Sequence, residues 1–288
     1  MKPPLCVSVG ETAQAPARKA SAARTPSARR RFGRTLLLGC AGFALALLVW
    51  EIFARSGMFS KALTPPLKLI ALRLIQMVSE GEIFKHAGMT LMRMLAGLAI
   101  AFVVAVPFGM LMGTSRTTER MFSPLLSVLM PIPSLAWVPL FVLWFGLGNL
   151  ATILVVIYAS VFTLIFNTWV GVRAINPVWT KAAAVMGASR SQAMAKVVFP
   201  GTMPYIISGL RIAFGRAWIA VIGGELLASP EFGLGKIIFD AREFLDTESM
   251  LAALVLVGLI GIAVEKLVLR RLERSTIERW GTSHDSTG

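Results

Sequence analysis

The sequence predicts an all-α integral membrane fold with six transmembrane helices. Of the 288 residues, 56% are hydrophobic and only 15% are charged, which is more apolar surface than a soluble domain of this length can bury. The apolar residues are also clustered, because no Asp, Glu, Lys or Arg occurs between Arg120 and Arg173. That stretch could cross a bilayer twice at about 20 residues per crossing. Much of the apolar surface must therefore face lipid.

Six apolar runs have bilayer length. They span residues 36–54, 94–112, 123–145, 150–169, 205–228 and 249–269. The tight polar-glycine turn at 146–149 predicts an antiparallel hairpin of the third and fourth helices. The third helix contains four prolines, whose missing N–H groups should kink or interrupt it. They are Pro124, Pro131, Pro133 and Pro139. Gly109 and Gly113 form a small-xxx-small pair that favours close helix packing.

The predicted organisation is a disordered basic tail at 1–34, a membrane domain at 35–270 with a long loop at 177–200, and a C-terminal tail at 271–288. The first tail has eight basic residues and one acid without apolar periodicity, which is typical of disorder. Its composition would also suit a transit peptide or, with the first apolar run, a signal sequence. No small-x-small cleavage site follows, so an uncleaved first span is preferred.

The distribution of positive charge predicts the orientation of the chain. Nineteen Lys and Arg residues lie in the segments 1–34, 113–122, 173–204 and 265–288, whereas eight lie in the opposite segments 55–93 and 229–248. The positive-inside rule then places both termini in the cytoplasm. We expect the first external loop to hold a short helix after Pro65-Pro66, with an apolar face at i, i+3 and i+4. Sequence leaves open whether this helix is interfacial or packs against the spans.

Several other classes of protein or site are disfavoured. Basic residues flank apolar spans instead of interleaving with aromatics, so no nucleic-acid partner is expected. Cys6 and Cys40 form neither a disulfide framework nor a metal-ligand spacing, and His86 and His284 are isolated. The run Gly233-Leu234-Gly235-Lys236 lacks the spacing of a phosphate-binding loop. We therefore expect no metal, no cofactor and no enzymatic activity.

The loop at 177–200 is longer than a plain connector requires. It reads as helix, glycine break, helix, with three basic residues, Lys181, Arg190 and Lys196, and no acids. Ala182, Ala183 and Ala184 favour helix, and Gly187 permits a sharp turn. Ser189 can cap a second helix, which we expect Pro200 to end. Such a basic, rigid segment is suited to docking into another protein.

These residues resemble the EAA loop of ATP-binding-cassette importer permeases of the bacterial inner membrane, which have the MetI-like fold. The resemblance implies that the loop is a coupling helix seated in a groove of a cytoplasmic ATPase subunit. The residues that match, and that the resemblance makes candidates for this coupling, are Lys181, Ala182, Ala183, Gly187, Ala188, Ser189 and Pro200. Lys181 departs from the family, which often has Glu at this position.

The resemblance extends over about residues 60–280 and favours the sulfonate, taurine and nitrate branch. The strings that carry it are Pro131-Ile132-Pro133, Trp144-Phe145-Gly146, Gly209-Leu210-Arg211 and Ala241-Arg242-Glu243-Phe244-Leu245-Asp246-Thr247. It implies a pathway for a small anion, preferably an aliphatic sulfonate or taurine, with nitrate or bicarbonate as the alternative. It also implies a second permease subunit, two cytoplasmic ATP-binding subunits, an external solute-binding protein and surrounding membrane lipid.

The fifth predicted span contains three ionisable residues, which are costly inside a bilayer. At 100° per residue, Arg211, Trp218 and Glu225 fall within about 40° of one another, whereas Arg216 lies about 140° from Arg211. Arg211 and Glu225 could reach the two membrane surfaces. Arg216 is too central for that, and we expect Arg216, Trp218 and Glu225 to be candidate pathway residues. In an alternative interpretation, Arg216 ties helices together through backbone carbonyls or through Glu51.

A channel or a secondary transporter could also contain intramembrane charges and broken helices. Neither requires the long cytoplasmic loop. A membrane scaffold for an assembly machine would leave Arg216 and Glu225 unexplained. The sequence therefore favours the importer permease.

Overall fold

The structure is a computed structural model that describes residues 28–58, 60 and 62–276, with side chains described between 37 and 267. All regular structure in these residues is helical. The helices are α1 (Ala28–Arg55), α2 (Leu67–Glu80), α3 (Glu82–Thr114), α4 (Arg116–Leu129), α5 (Val138–Phe145), α6 (Asn149–Ala174), α7 (Pro177–Val185), α8 (Arg190–Ala193), α9 (Phe199–Ala228), α10 (Leu234–Glu243) and α11 (Thr247–Thr276).

The predicted membrane fold agrees with these helices. Five of them are long and apolar enough to cross a membrane, and α4 with α5 makes a sixth span if the pair, bent by 87°, is counted as one. Residues 1–27 of the predicted N-terminal tail lie outside the described residues. Residues 28–34 of that tail form the first turns of α1. The last residues of the predicted C-terminal tail, 277–288, also lie outside them, with His284 among them.

Helices α3, α6 and α9 pack against one another through glycines. A Cβ at Gly97 would lie 2.8 Å from Val156 Cβ, and one at Gly109 would lie 2.7 Å from Thr168 Cβ, so α3 and α6 run parallel. Gly209 meets Asn167 and Gly224 meets Thr152 in the same way, so α9 runs antiparallel to α6. The predicted packing role of the Gly109 pair is confirmed, since side chains there would separate the helices.

Helix α2 confirms the helix predicted in the first external loop, and its position answers the question that sequence left open. Ile70 is buried, and Leu74 packs with Leu234 and Leu256. Arg73 Nε donates to Ser249 Oγ of α11 at 2.7 Å. One face of α2 therefore packs against the helical bundle.

Candidate functional site

The third span is broken at its prolines, as predicted. Helix α4 ends at Leu129, and a 3₁₀ turn at Ser134–Trp137 precedes α5. Pro131 and Pro133 lie in the break, whereas Pro124 is inside α4 and Pro139 is in the first turn of α5, where a missing N–H costs nothing. Tyr158 Oη of α6 donates to the carbonyl of Leu129 at 2.9 Å, which also accepts from the backbone N–H of Ile132 at 3.2 Å. The bend is therefore held by a specific contact.

Arg216 of α9 faces this break. It lines a groove of about 200 Å³ together with the Pro131–Ser134 segment, Tyr158 and Phe162. Its side chain is exposed, and within the described residues it makes no hydrogen bond or ion pair. Glu51, the partner considered from sequence, instead accepts from Leu67 N at 2.9 Å and pairs with Arg55.

A guanidinium in this position can bind an oxyanion. Arginine stays protonated and presents five N–H donors in a planar fork. The other residues that line the groove are all uncharged, so they add no competing negative charge. The groove at Arg216 is therefore a candidate anion site at mid-height in the bundle.

The other two candidate pathway residues are packed differently from Arg216. Trp218 is half-buried, and its indole lies so close to Gly261 of α11 that a Cβ there would be 2.7 Å from Trp218 Nε1. Glu225 is fully buried. Neither side chain lines the Arg216 groove. A pathway role for these two residues stays a prediction that their contacts do not test.

Glu225 belongs to a buried network at the end of the bundle opposite the 177–200 loop. Arg93 Nη1 of α3 donates to its carboxylate at 2.6 Å, and both side chains are inaccessible to solvent. Thr90 Oγ1 lies 2.9 Å from both carboxylate oxygens. Arg93 Nε also donates to Asn149 Oδ1 at 2.7 Å, at the start of α6. The network therefore joins α3, α6 and α9.

The same network holds the connection between α9 and α10. The backbone N–H of Gly235 donates to Glu225 at 2.9 Å, and that of Leu234 donates to Thr90 Oγ1 at 2.9 Å. Gly233 N–H donates to Nδ1 of His86 at 3.1 Å. A Cβ on Gly233 would lie 2.5 Å from the Glu225 carboxylate. Gly233 and Gly235, which do not form a phosphate-binding loop, thus allow the backbone to approach the Glu225 carboxylate closely.

Sequence reasoning missed Arg93, Thr90 and the role of His86. The second span was predicted to begin at 94, because the hydropathy of the apolar run ends at the charged Arg93. The helix α3 instead begins at Glu82. A signal was present, since His86, Thr90 and Arg93 are spaced i, i+4 and i+7 and share one helical face. A polar stripe of this kind facing Glu225 indicates a buried pair.

The 177–200 loop forms the expected helix, turn and helix. Helix α7 ends in a Schellman motif, in which Ala188 N–H donates to Ala183 O and Gly187 N–H to Ala184 O, both at 3.0 Å. Gly187 has φ +82°, which L-residues adopt only at a cost. Ser189 forms a capping box with Gln192. The predicted glycine turn and serine cap are confirmed.

The prediction that Pro200 ends the second helix of the loop is wrong. Residues Arg190–Ala228 form one continuous helix, with a π-helical turn at Met194–Val198 and Pro200 in the turn that follows. Proline removes a donor from the i to i−4 ladder, and a π turn shifts that register locally. The loop is therefore joined to the Arg216 helix without a break.

The tip of this loop is exposed and partly apolar. Val185 and Met186 are 89% and 86% exposed, and the side chains of Lys181, Ala182 and Ser189 are also exposed, whereas Ala183, Ala188 and Pro200 are half-buried. Adjacent exposed apolar residues beside basic ones are typical of a protein-docking surface. The geometry is suited to insertion of the tip into a partner.

Comparison with known proteins gives consistent similarities. Residues 105–277 match the family model described as binding-protein-dependent transport system inner membrane component. The chain is 30% identical to the putative aliphatic sulfonates transport permease protein SsuC of Bacillus subtilis, covering 94% of this chain and 96% of the relative. It is 32% identical to the taurine transport system permease protein TauC of Escherichia coli, covering 84% and 89%.

Two further similarities are informative. The bicarbonate transport system permease protein CmpB of Synechococcus elongatus is 32% identical, over 85% of this chain and 89% of the relative. The MetNI methionine ABC transporter, solved in inward facing conformations, matches with a TM-score of 0.57 at 20% identity, covering 67% of this chain and 95% of that chain. The structural likeness supports the helical arrangement alone.

Proposed function

The chain belongs to the binding-protein-dependent transport system inner membrane component family of ABC importer permeases, and we propose that it forms the pathway for an aliphatic sulfonate or taurine. Such a permease is a multi-pass transport subunit of the inner membrane and not an enzyme, and it works with separate ATP-binding subunits and a substrate-binding protein. The observation that carries the proposal is the Arg216 groove.

An anionic substrate explains an exposed arginine at this depth. Moving an oxyanion out of water removes its hydration, and charge-assisted bidentate hydrogen bonds from a guanidinium offset part of that cost. The relatives named for aliphatic sulfonates and taurine support this substrate class. The bicarbonate permease relative makes a smaller oxyanion, bicarbonate or nitrate, the second candidate.

We further propose that two copies of the chain assemble, with both termini in the cytoplasm. Lys181, Ala182, Ala183, Gly187, Ala188 and Ser189 would then contact the ATPase, and Pro200 would lie where the loop joins α9. Closure of the ATPase subunits would move this loop. Because Arg190–Ala228 is one continuous helix, that movement would reach Arg216 directly.

Reconstitution of the assembled transporter with its binding protein tests the proposal. We expect ATP-dependent uptake of radiolabelled taurine or ethanesulfonate into proteoliposomes, with competition by other alkanesulfonates. Preferential uptake of labelled bicarbonate, with no competition by sulfonates, would select the alternative. Uptake of neither class would contradict the proposed pathway for a small anion.

A further inference from the structure

A second basic cavity lies where α3 ends and α4 begins. Arg116, Arg120 and Arg173 line it with Glu119 and Ser123, and its volume is about 450 Å³. Arg173 donates to Glu119 at 2.9 Å, whereas Arg116 and Arg120 contact no carboxylate in the part of the chain that is described. Three guanidinium groups against one carboxylate give the cavity a charge of about +2 at neutral pH.

The size and composition of the cavity are suited to a small oxyanion. The volume of about 450 Å³ is large compared with that of one water, so a small anion could enter with part of its hydration shell. All three cations are arginines, whose planar forks bind oxyanions bidentately. The Ser123 hydroxyl adds a neutral donor. None of these residues belongs to the Arg216 groove.

One face of α4 connects this cavity to the Arg216 groove. Four polar residues lie on this face, namely Arg116, Arg120, Ser123 and Ser127. At 100° per residue, they fall within about 60° of one another. Met130, immediately after the helix, lines the groove. It lies about 15 Å along the axis from Arg120, at a rise of 1.5 Å per residue. The face forms a polar track between the two basic sites.

The cavity also adjoins the loop proposed to contact the ATPase. Arg173 lines this cavity and also a neighbouring cavity, which is bounded by Thr180, Ala184 and Arg190 of that loop. The basic cavity therefore lies at the loop end of the bundle, and the Arg216 groove lies at mid-height.

We propose that Arg116, Arg120 and Arg173 form an oxyanion-binding exit site, which receives the transported anion after it leaves Arg216 along the polar face of α4. This inference rests on the proposed anion transport. Arg173 donates to Glu119, and an arriving oxyanion competes with that carboxylate. The ligand class is a small molecule with a sulfonate or carboxylate group, and a phospholipid headgroup is the other source of this chemistry.

Reagent accessibility tests the site separately from transport. In an assembled transporter lacking Cys6 and Cys40, Ser123→Cys places one thiol in the cavity, and Thr117→Cys places a control thiol on another face of α4. We expect the ratio of the two modification rates, that of a sulfonate-bearing methanethiosulfonate reagent over that of a trimethylammonium-bearing one, to be about tenfold higher at position 123 than at position 117, because a cationic cleft concentrates anions.

Removing the charges should remove this preference. Arg116→Gln with Arg120→Gln should lower the ratio at position 123 toward that at position 117, while size-exclusion profiles report folded protein. Methanesulfonate should slow the reaction in phosphatidylcholine nanodiscs. An unchanged ratio in the double variant, or protection by phosphatidylglycerol but not by methanesulfonate, would overturn the exit site.

A transport measurement completes the test. The double variant should slow ATP-dependent uptake per folded transporter at least about fivefold relative to Lys68→Gln, an exposed basic residue far along the chain from the cavity. Normal uptake together with a lost reagent preference would overturn the exit role. If the wild-type protein transports no sulfonate but keeps the anion preference and its protection by methanesulfonate, the substrate proposal fails while the anion site stands.

Discussion

Arg93 and Glu225 form an ion pair in which Nη1 and Oε1 are 2.6 Å apart and both side chains are inaccessible to solvent. The pair joins α3 to α9, and Glu225 also holds Gly235 in the connection between α9 and α10. Because each charge is compensated only by the other and by its hydrogen bonds, the network fixes how these helices meet.

Replacing one partner should be strongly destabilising. Arg93→Ala or Glu225→Ala leaves an uncompensated buried charge, which costs about 3–5 kcal/mol, measurable as a lower midpoint of thermal unfolding in detergent. Arg93→Met combined with Glu225→Leu should recover most of the loss, since apolar side chains of similar volume replace both charges. Single variants that each cost less than about 1 kcal/mol would contradict a buried pair.

Asp246, which directly precedes α11, should make the free energy of unfolding depend on pH. Burial opposes its charge, but hydrogen bonds from Ser249 and the nearby charge of Arg73 outweigh burial and hold the pKa of Asp246 below its usual range. A lowered pKa stabilises the fold above the ordinary Asp value of about 3.9, and this contribution is lost as pH falls through the folded-state value. Asp246→Asn should therefore lower stability by about 1 kcal/mol near neutral pH and flatten its decline on acidification. If the stability of that variant declined on acidification just as that of the wild type does, Asp246 would not contribute to the pH dependence.

Gly187→Ala should weaken association with the ATPase subunit. The positive φ of Gly187 costs an L-residue about 1–2 kcal/mol, or about tenfold in an equilibrium constant, if docking requires this turn. The bulky Gly187→Trp should abolish association while leaving the subunit in the membrane. The matched control is Gly88→Ala, where an added Cβ meets no atom within 4 Å. Equal association of wild type, Gly187→Trp and Gly88→Ala would show that the loop is only a connector.

The proposed orientation predicts the side on which fused reporters lie. Fusions after residues 80 and 240 should report the external side, and fusions after 118, 190 and 285 the cytoplasm. An external signal at 190 would contradict contact between the 177–200 loop and a cytoplasmic ATPase.

Periodicity and composition were enough to predict the spans, the helix that became α2 and the sharp turn at Gly187, because these depend on local residue chemistry. Hydropathy alone did not place Arg93, since its burial depends on Glu225, which lies far away in sequence, and only the polar stripe of His86, Thr90 and Arg93 signalled it. Pro200 was assigned as a helix end from its missing N–H, but a π turn before it keeps the helix continuous. Long-range polar pairing and local changes of helical register are invisible to hydropathy.

The central claim is tested most directly by uptake per folded transporter for Arg216→Ala and Arg216→Lys, in proteoliposomes with ATP and substrate-loaded binding protein. If the guanidinium binds the passing anion, Arg216→Ala should cut uptake at least about tenfold, the equivalent of about 1.4 kcal/mol, with little loss of folded protein. Arg216→Lys should retain partial uptake, because it keeps the charge but loses the bidentate fork. Unchanged uptake per folded molecule, accompanied by a lower unfolding midpoint, would show instead that Arg216 only stabilises the fold.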